Sequence, residues 1–415
     1  MQRLFFLFLF FSALNACAQN TNTNVNNTNK GNAYNIIIPV NDSVVKPIPA
    51  SDEDMELEEI SVKKKATPSP KLRKESEKAA PAFQPTEGLS KEESIDSPAV
   101  PAAAQMQMQF ESNQSSSNSQ YNRRSASPTE QTKMDASVAY YKNESPNSFL
   151  THFYAYLAGH YNTDLYPELQ AAATLNPENV EVKKQLAAYN IITNNAEVAV
   201  PIIQELIDEE VVSTGQLIYA NDLLLSGEAE SIVVLHGFED MFATYYVQNA
   251  NSVRPDIKLM SLDFMQSATY RSGWVENNLV LPETEVVDTA YLKALCHLNL
   301  TQTFQLSMTI PKDYFVGMKS NLYPVGLTLR YAELPYDNYN SNYQLWSQDI
   351  DFAIVEKPTD DSGDNWCGNY LPMLVTLKKQ LAKLGREEEI EKINQVILKI
   401  GARSGNSDQV KKYVK

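Results

Sequence analysis

After Gly227 the apolar residues stop recurring every three or four positions and gather into short β-branched runs. Ser231 to Leu235 reads SIVVL and stops at His236-Gly237; Phe238 to Ala250 is amphipathic; Ile257 to Leu262 reads IKLMSL. Strand, turn, helix and strand in this order make a βαβ unit, whose strands are expected to run parallel with a right-handed crossover. Open parallel sheets bind ligands at the carboxyl ends of their strands. His236, Glu239 and Asp240 are therefore candidate ligand-binding residues at the end of the first strand, with Asp263 at the end of the second. Glu239 and Asp240 also fall in the first turn of a helix, where the dipole favours carboxylates without any ligand. The chain has no Gly-rich phosphate loop, so no cofactor is expected. His236 has no nucleophile at a recognisable spacing, and no His, Cys and acid set has metal-ligand spacing, so no catalytic residue and no metal site is assigned.

Beyond this unit, Thr289 to Leu298 reads as a helix, Thr303 to Thr309 and Val325 to Ala332 as strands, and Tyr336 to Trp346 as an aromatic, Asn-rich loop. The expected fold class is α/β over residues 228–350, flanked by helical hairpins at 136–227 and 366–415. Before it, Ser145 and Pro146 open a helix with Phe149, Phe153, Tyr156 and Leu157 on one face. Asp164 to Leu175, Glu178 to Thr193, Glu197 to Asp208 and Thr214 to Leu225 follow, joined by short breaker-rich links. Loops this short pair helices antiparallel. Leu175-Asn176-Pro177-Glu178-Asn179 resembles a boundary between tetratricopeptide repeats, and Asn369 to Leu384 with Glu387 to Ile400 resembles a terminal hairpin of that kind.

The N-terminal part is different. Of the 116 residues from Asn20 to Asp135, 19 are Ile, Leu, Val, Phe, Trp or Tyr and 10 are Pro. So little apolar surface does not offset the entropy of ordering a backbone, and residues 17–135 are expected to be a disordered linker. Arg3 precedes an apolar run, Leu4 to Leu14, of the length of a secretory signal, giving a signal peptide at 1–16 and an exported protein. Leu14-Asn15-Ala16-Cys17 resembles the lipobox of bacterial lipoproteins, which makes Cys17 the lipidated residue of a membrane-anchored envelope protein. Ordinary cleavage after Ala18 would instead release a soluble periplasmic or secreted chain. No later run has the roughly 20 apolar residues of a membrane span, so any attachment is through the N-terminal lipid. Counting 35 basic against 51 acidic residues leaves −16, which argues against nucleic acid as a partner.

Three further groups carry alternatives. Cys296 and Cys367 are the cysteines left after processing; in an oxidising compartment they form a disulfide, or they are two separate buried thiols. Tyr336, Tyr339, Tyr343 and Trp346 make a stacking platform or anchor a loop. Asp349, Asp351, Asp360, Asp361 and Asp364 lack the alternation of an EF-hand and read as a solvated loop.

Two blocks of the chain carry a family resemblance. His236-Gly237-Phe238-Glu239-Asp240, Tyr245 to Asn249 and Val253-Arg254-Pro255-Asp256, then Thr309 to Gly317 and Gly326 to Tyr331, resemble the extracytoplasmic C-terminal part of bacterial protein O-mannosyltransferase-like membrane glycosyltransferases, over residues 226–415. Where that family has Gly-Asp-Asn-Asp, this chain has Gly237-Phe238-Glu239-Asp240. Without the family's membrane helices, the resemblance implies an accessory or sensing domain on a tether. The expected function is a non-enzymatic envelope lipoprotein that binds an envelope protein partner or supports assembly. The alternative is a glycan- or glycolipid-linked accessory protein, with or without catalysis.

Overall fold

The computed structural model describes residues 102–118, 124–357 and 359–415. The signal peptide, Cys17 and the linker up to residue 101 lie outside these residues. The chain is mostly helical around a small mixed sheet.

The first elements correct the linker boundary. Residues read as linker form α1 (Ala102–Asn118) and the N-terminal half of α2 (Pro128–Glu144). The apolar count missed them because these segments are rich in Ala, Gln and Met, strong helix formers that need few large anchors. Phe110 and Met134 are fully buried. Phe110 stacks on Tyr154 with ring centroids 4.0 Å apart, and the Tyr154 hydroxyl donates to Glu111 at 3.0 Å. Ser127 and Glu130 close a capping box at the start of α2, with Pro128 in its first turn.

Next come α3 (Phe149–Leu157), α4 (Tyr166–Leu175), α5 (Val180–Ile192), α6 (Ala196–Asp208) and α7 (Thr214–Leu225). Ser148, rather than Ser145, caps α3, while Ser145 ends α2. Asn179 caps α5, and Ser213 with Gln216 boxes α7.

The sheet follows: β1 (Ile232–Leu235), α8 (Phe238–Asn251), β2 (Lys258–Ser261), α9 (Ala268–Glu276), α10 (Thr289–Leu298), β3 (Phe304–Ser307), β4 (Leu322–Val325) and β5 (Thr328–Tyr331). Its order is β2-β1-β3-β5-β4. β1 is parallel to β2 (Ile232 opposite Lys258), as the βαβ pattern predicts, and also to β3 (Ile232 opposite Phe304). β5 runs antiparallel to β3 and pairs with β4 in a hairpin whose two-residue turn places Gly326 at φ +56. A Cβ on Gly326 would lie 2.1 Å from the Ser226 hydroxyl, so the position also needs the absence of a side chain.

Side chains close both edges of the sheet. At β2 the Tyr270 hydroxyl accepts from the Ser261 amide (3.2 Å) and donates to the Leu259 carbonyl (3.3 Å). At β4, Pro324 has no N–H, and its carbonyl accepts from Asn338 (2.9 Å) and Asn342 (2.8 Å). An edge occupied in this way offers little to an added strand.

The C-terminal part holds α11 (Tyr339–Gln344), α12 (Ala353–Glu356), α13 (Asp361–Trp366), α14 (Leu371–Lys383), α15 (Glu387–Arg403) and α16 (Ser407–Val414). Asp360 caps α13 and accepts from the Ser213 hydroxyl (3.0 Å) and the Gly215 amide (2.7 Å), which ties α7 to α13. That is a structural role for one of the acids expected in a solvated loop. The aromatic stretch contains α11, and its Tyr336, Tyr339, Tyr343 and Trp346 pack partly buried against the core.

Two apolar cores result. The smaller joins α1 to α4 and the start of α5 around Phe110, Tyr154 and Tyr156. The larger runs from Ala187 of α5 through the sheet to the C-terminal helices.

Candidate functional site

The sheet brings most of the expected strand-end residues together. β2 and β3 lie on opposite sides of β1, so strand order reverses between β1 and β3, where sheets of this kind open a crevice. Asp240, in the first turn of α8, spans that point. Its carboxylate accepts from the amides of His236 (2.7 Å) and Gly237 (2.9 Å) beneath β1 and from the Thr309 hydroxyl (2.5 Å) beyond β3. Asp240 is 3 % exposed, and burial raises its pKa against the pull of these donors.

Asp263 follows β2 and meets a residue that sequence reading placed in the linker. Arg124 Nε lies 3.2 Å from Asp263 Oδ1, with the residues 7 % and 8 % exposed. Burial pushes the Asp263 carboxyl up to about 6, with Arg124 opposing and Asp240 adding to the rise. The Arg124 amide donates to the Val287 carbonyl at 2.8 Å, which fixes the segment before α2 against the start of α10. A Cβ on Gly237 would lie 2.6 Å from Asp263 Oδ2, so this turn has its glycine because the carboxylate passes close by. Tyr161 packs edge-on against Phe238 and Phe264, and Tyr314 lies fully buried nearby.

His236 is held neutral: burial, then Arg124, keep its pKa well below the usual value. Its Nε2 is inaccessible and has no hydrogen-bond partner among the described residues. Glu239 is exposed, unlike its buried neighbour Asp240. The strand end thus buries Asp240 and Asp263 beside His236, with Glu239 at the surface. Arg124, Thr309 and Tyr314 were missed because no local pattern marks a side chain that arrives from a distant segment.

The disulfide reading is corrected. Cys296 and Cys367 are separate free thiols, each fully buried in the larger core. Burial pushes the Cys367 thiol up to about 12 and raises Cys296 further, so both behave as apolar side chains. Among the described residues no group of His, Cys, Asp and Glu is arranged to hold a metal ion, and no helix is long and apolar enough to cross a membrane.

A second surface is apolar. Val275, Val280, Leu298, Leu300 and Leu334 are five of the ten large exposed apolar side chains among the described residues. Asn299, between two of them, exchanges hydrogen bonds with the Val280 backbone (2.8 Å each way), and His297 pairs with Glu333 at 2.6 Å. These links gather Val280, Leu298, Leu300 and Leu334 at the end of α10. Val275 lines an adjoining groove of about 350 Å³ with Arg271, Glu276 and Leu281. Glu276 lines the same groove, Glu283 is exposed, and Glu285 is exposed and pairs with Arg271 at 3.2 Å.

Comparison with protein-family models, with curated proteins and with solved structures returned no match.

Proposed function

We propose that this chain is an envelope lipoprotein, anchored through Cys17, whose folded part is a protein-binding or assembly module. The observation that carries this reading is the exposed apolar corner at the end of α10, where Leu334 is 78 % exposed. Exposed apolar side chains gathered in one place mark interaction sites far more often than single ones do. The corner has an apolar centre and acidic neighbours in Glu276 and Glu283, with Glu285 paired to Arg271, so the matching partner is an apolar protein segment with Lys or Arg on its flanks. The helix pairs α5–α6 and α14–α15, read as tetratricopeptide-like, support the same role, since stacked hairpins present extended binding faces.

The glycan-linked alternative needs an open polar set at the strand end. Asp240 and Asp263 already have partners from within the chain, which favours protein binding.

The test is a photo-crosslinker placed at Leu300 or Leu334 in the native envelope. A discrete adduct is expected, and it should weaken with salt and vanish in Leu298→Asp. An adduct that also forms from the remote, equally exposed Leu175, or none at all, would overturn the reading. Membrane fractionation with Cys17→Ser tests the anchor: the variant should leave the membrane fraction.

A further inference from the structure

We propose that the cavity between α7, α8 and the chain entering α12 binds a small organic cation, an ammonium ion carried on an apolar body. This site shares no residue with the apolar corner and does not rest on that reading.

The cavity has a volume of about 430 Å³, within the range of small-molecule sites. Leu217 and Ile218 of α7 with Tyr246 and Val247 of α8 give it an apolar wall. Its charge has one sign: Asp222, Asp349 and Asp351 line it, and no Lys, Arg or His does. Asp349 and Asp351 are exposed, as the acids of a solvated rim would be, but Asp222 is 2 % exposed. The Asp222 carboxylate accepts from the Tyr370 hydroxyl at 2.6 Å and from the Asn221 amide at 3.4 Å. Burial pushes its pKa up to about 6, these two hydrogen bonds oppose the rise, and the one charge that bears on it, Asp351, has the same sign.

Buried charges are ordinarily paired, and this one has no cation among the described residues. Its ionisation near neutral pH costs the fold stability that an Asn would keep while still accepting from Tyr370. Acids perturbed in this way and facing a cavity gather at binding sites. A cation that enters the cavity supplies the missing charge, and its hydrocarbon part covers Leu217, Ile218 and Val247. The apolar wall suits an organic ion, and among the described residues no set of acids is arranged to hold a metal. A free amine and the lysine side chain of a protein share this chemistry.

The experiment is calorimetric titration of the full chain near neutral pH with n-pentylammonium, its neutral isostere n-pentanol, methylammonium, and lysine capped at both backbone ends. Pentylammonium should bind saturably, with methylammonium and pentanol each at least about tenfold weaker. Asp222→Asn should weaken pentylammonium by about tenfold or more, and Asp349→Asn with Asp351→Asn by about threefold. Capped lysine binding as tightly as pentylammonium makes the natural ligand a protein side chain; pentylammonium binding alone makes it a free amine. No binding of pentylammonium, equal binding of pentanol, or unchanged binding in Asp222→Asn overturns the proposal. The comparison of pentylammonium with pentanol on the wild type decides alone if Asp222→Asn does not fold.

Discussion

Asp222 shows how burial sets the pH response of a single residue. It is 2 % exposed, its Oδ2 accepts from the Tyr370 hydroxyl at 2.6 Å, and its pKa is pushed up to about 6: burial raises it, the Tyr370 and Asn221 hydrogen bonds lower it, and Asp351 raises it again. An unfolded Asp titrates near 3.9, so the native state holds this proton more tightly. The stabilising contribution is therefore complete below about pH 4 and lost as pH rises through about 6. Asp222→Asn keeps an oxygen for Tyr370 and never ionises. Its stability relative to wild type should rise by about 2 kcal/mol between pH 4 and pH 7, read by urea unfolding at both. A constant difference would mean that Asp222 ionises freely. Gly237 makes the steric case at the same scale. Its φ of −162 is ordinary extended backbone, so only the close approach of Asp263 demands glycine. Gly237→Ala should cost about 1–3 kcal/mol, and Asp263→Ala in the same chain should recover part of that loss. A glycine at this turn is visible in the sequence; the carboxylate that requires it is not.

Among the elements, the sheet depends on one buried amide. Gln305 of β3 donates to the Ser226 carbonyl (3.1 Å) and the Thr328 hydroxyl (2.9 Å) and accepts from the Glu228 amide (2.6 Å), so it joins β3, β5 and the chain entering β1. Gln305→Leu fits a similar volume but leaves that carbonyl and amide unpaired. It should cost about 2–3 kcal/mol in urea unfolding, whereas a loss below about 0.5 kcal/mol would mean that water replaces the amide. Elements with a strong local signal were legible: Thr214–Leu225 and Thr289–Leu298 form over the ranges expected from the sequence. β4 was not, because Pro324 argues against a strand except at an edge, and the edge is visible only once β5, Asn338 and Asn342 are in place. α1 and α2 were hidden for the opposite reason. Their helices rest on a few long-range aromatic contacts, such as Phe110 on Tyr154, that composition does not register.

At the scale of the molecule, two cores of unequal size share one helix. α5 gives Val182 to the smaller core and Ala187, Ala188, Ile191 and Ile192 to the larger. Among the described side chains of α1 only Phe110 is buried, whereas β1 and β3 are buried along their whole length. Less apolar area buried per residue means less free energy opposing local opening. The amides of α1 and α2 should therefore lose hydrogen-exchange protection at lower urea than those of β1, β3 and α14, with α5 between them. Arg124→Ala should widen that gap by removing an ion pair at the junction, with little effect on protection in α14. Loss of all protection at one urea concentration would make the chain a single cooperative unit. The Arg124–Asp263 contact would then be part of that unit and not a latch between two.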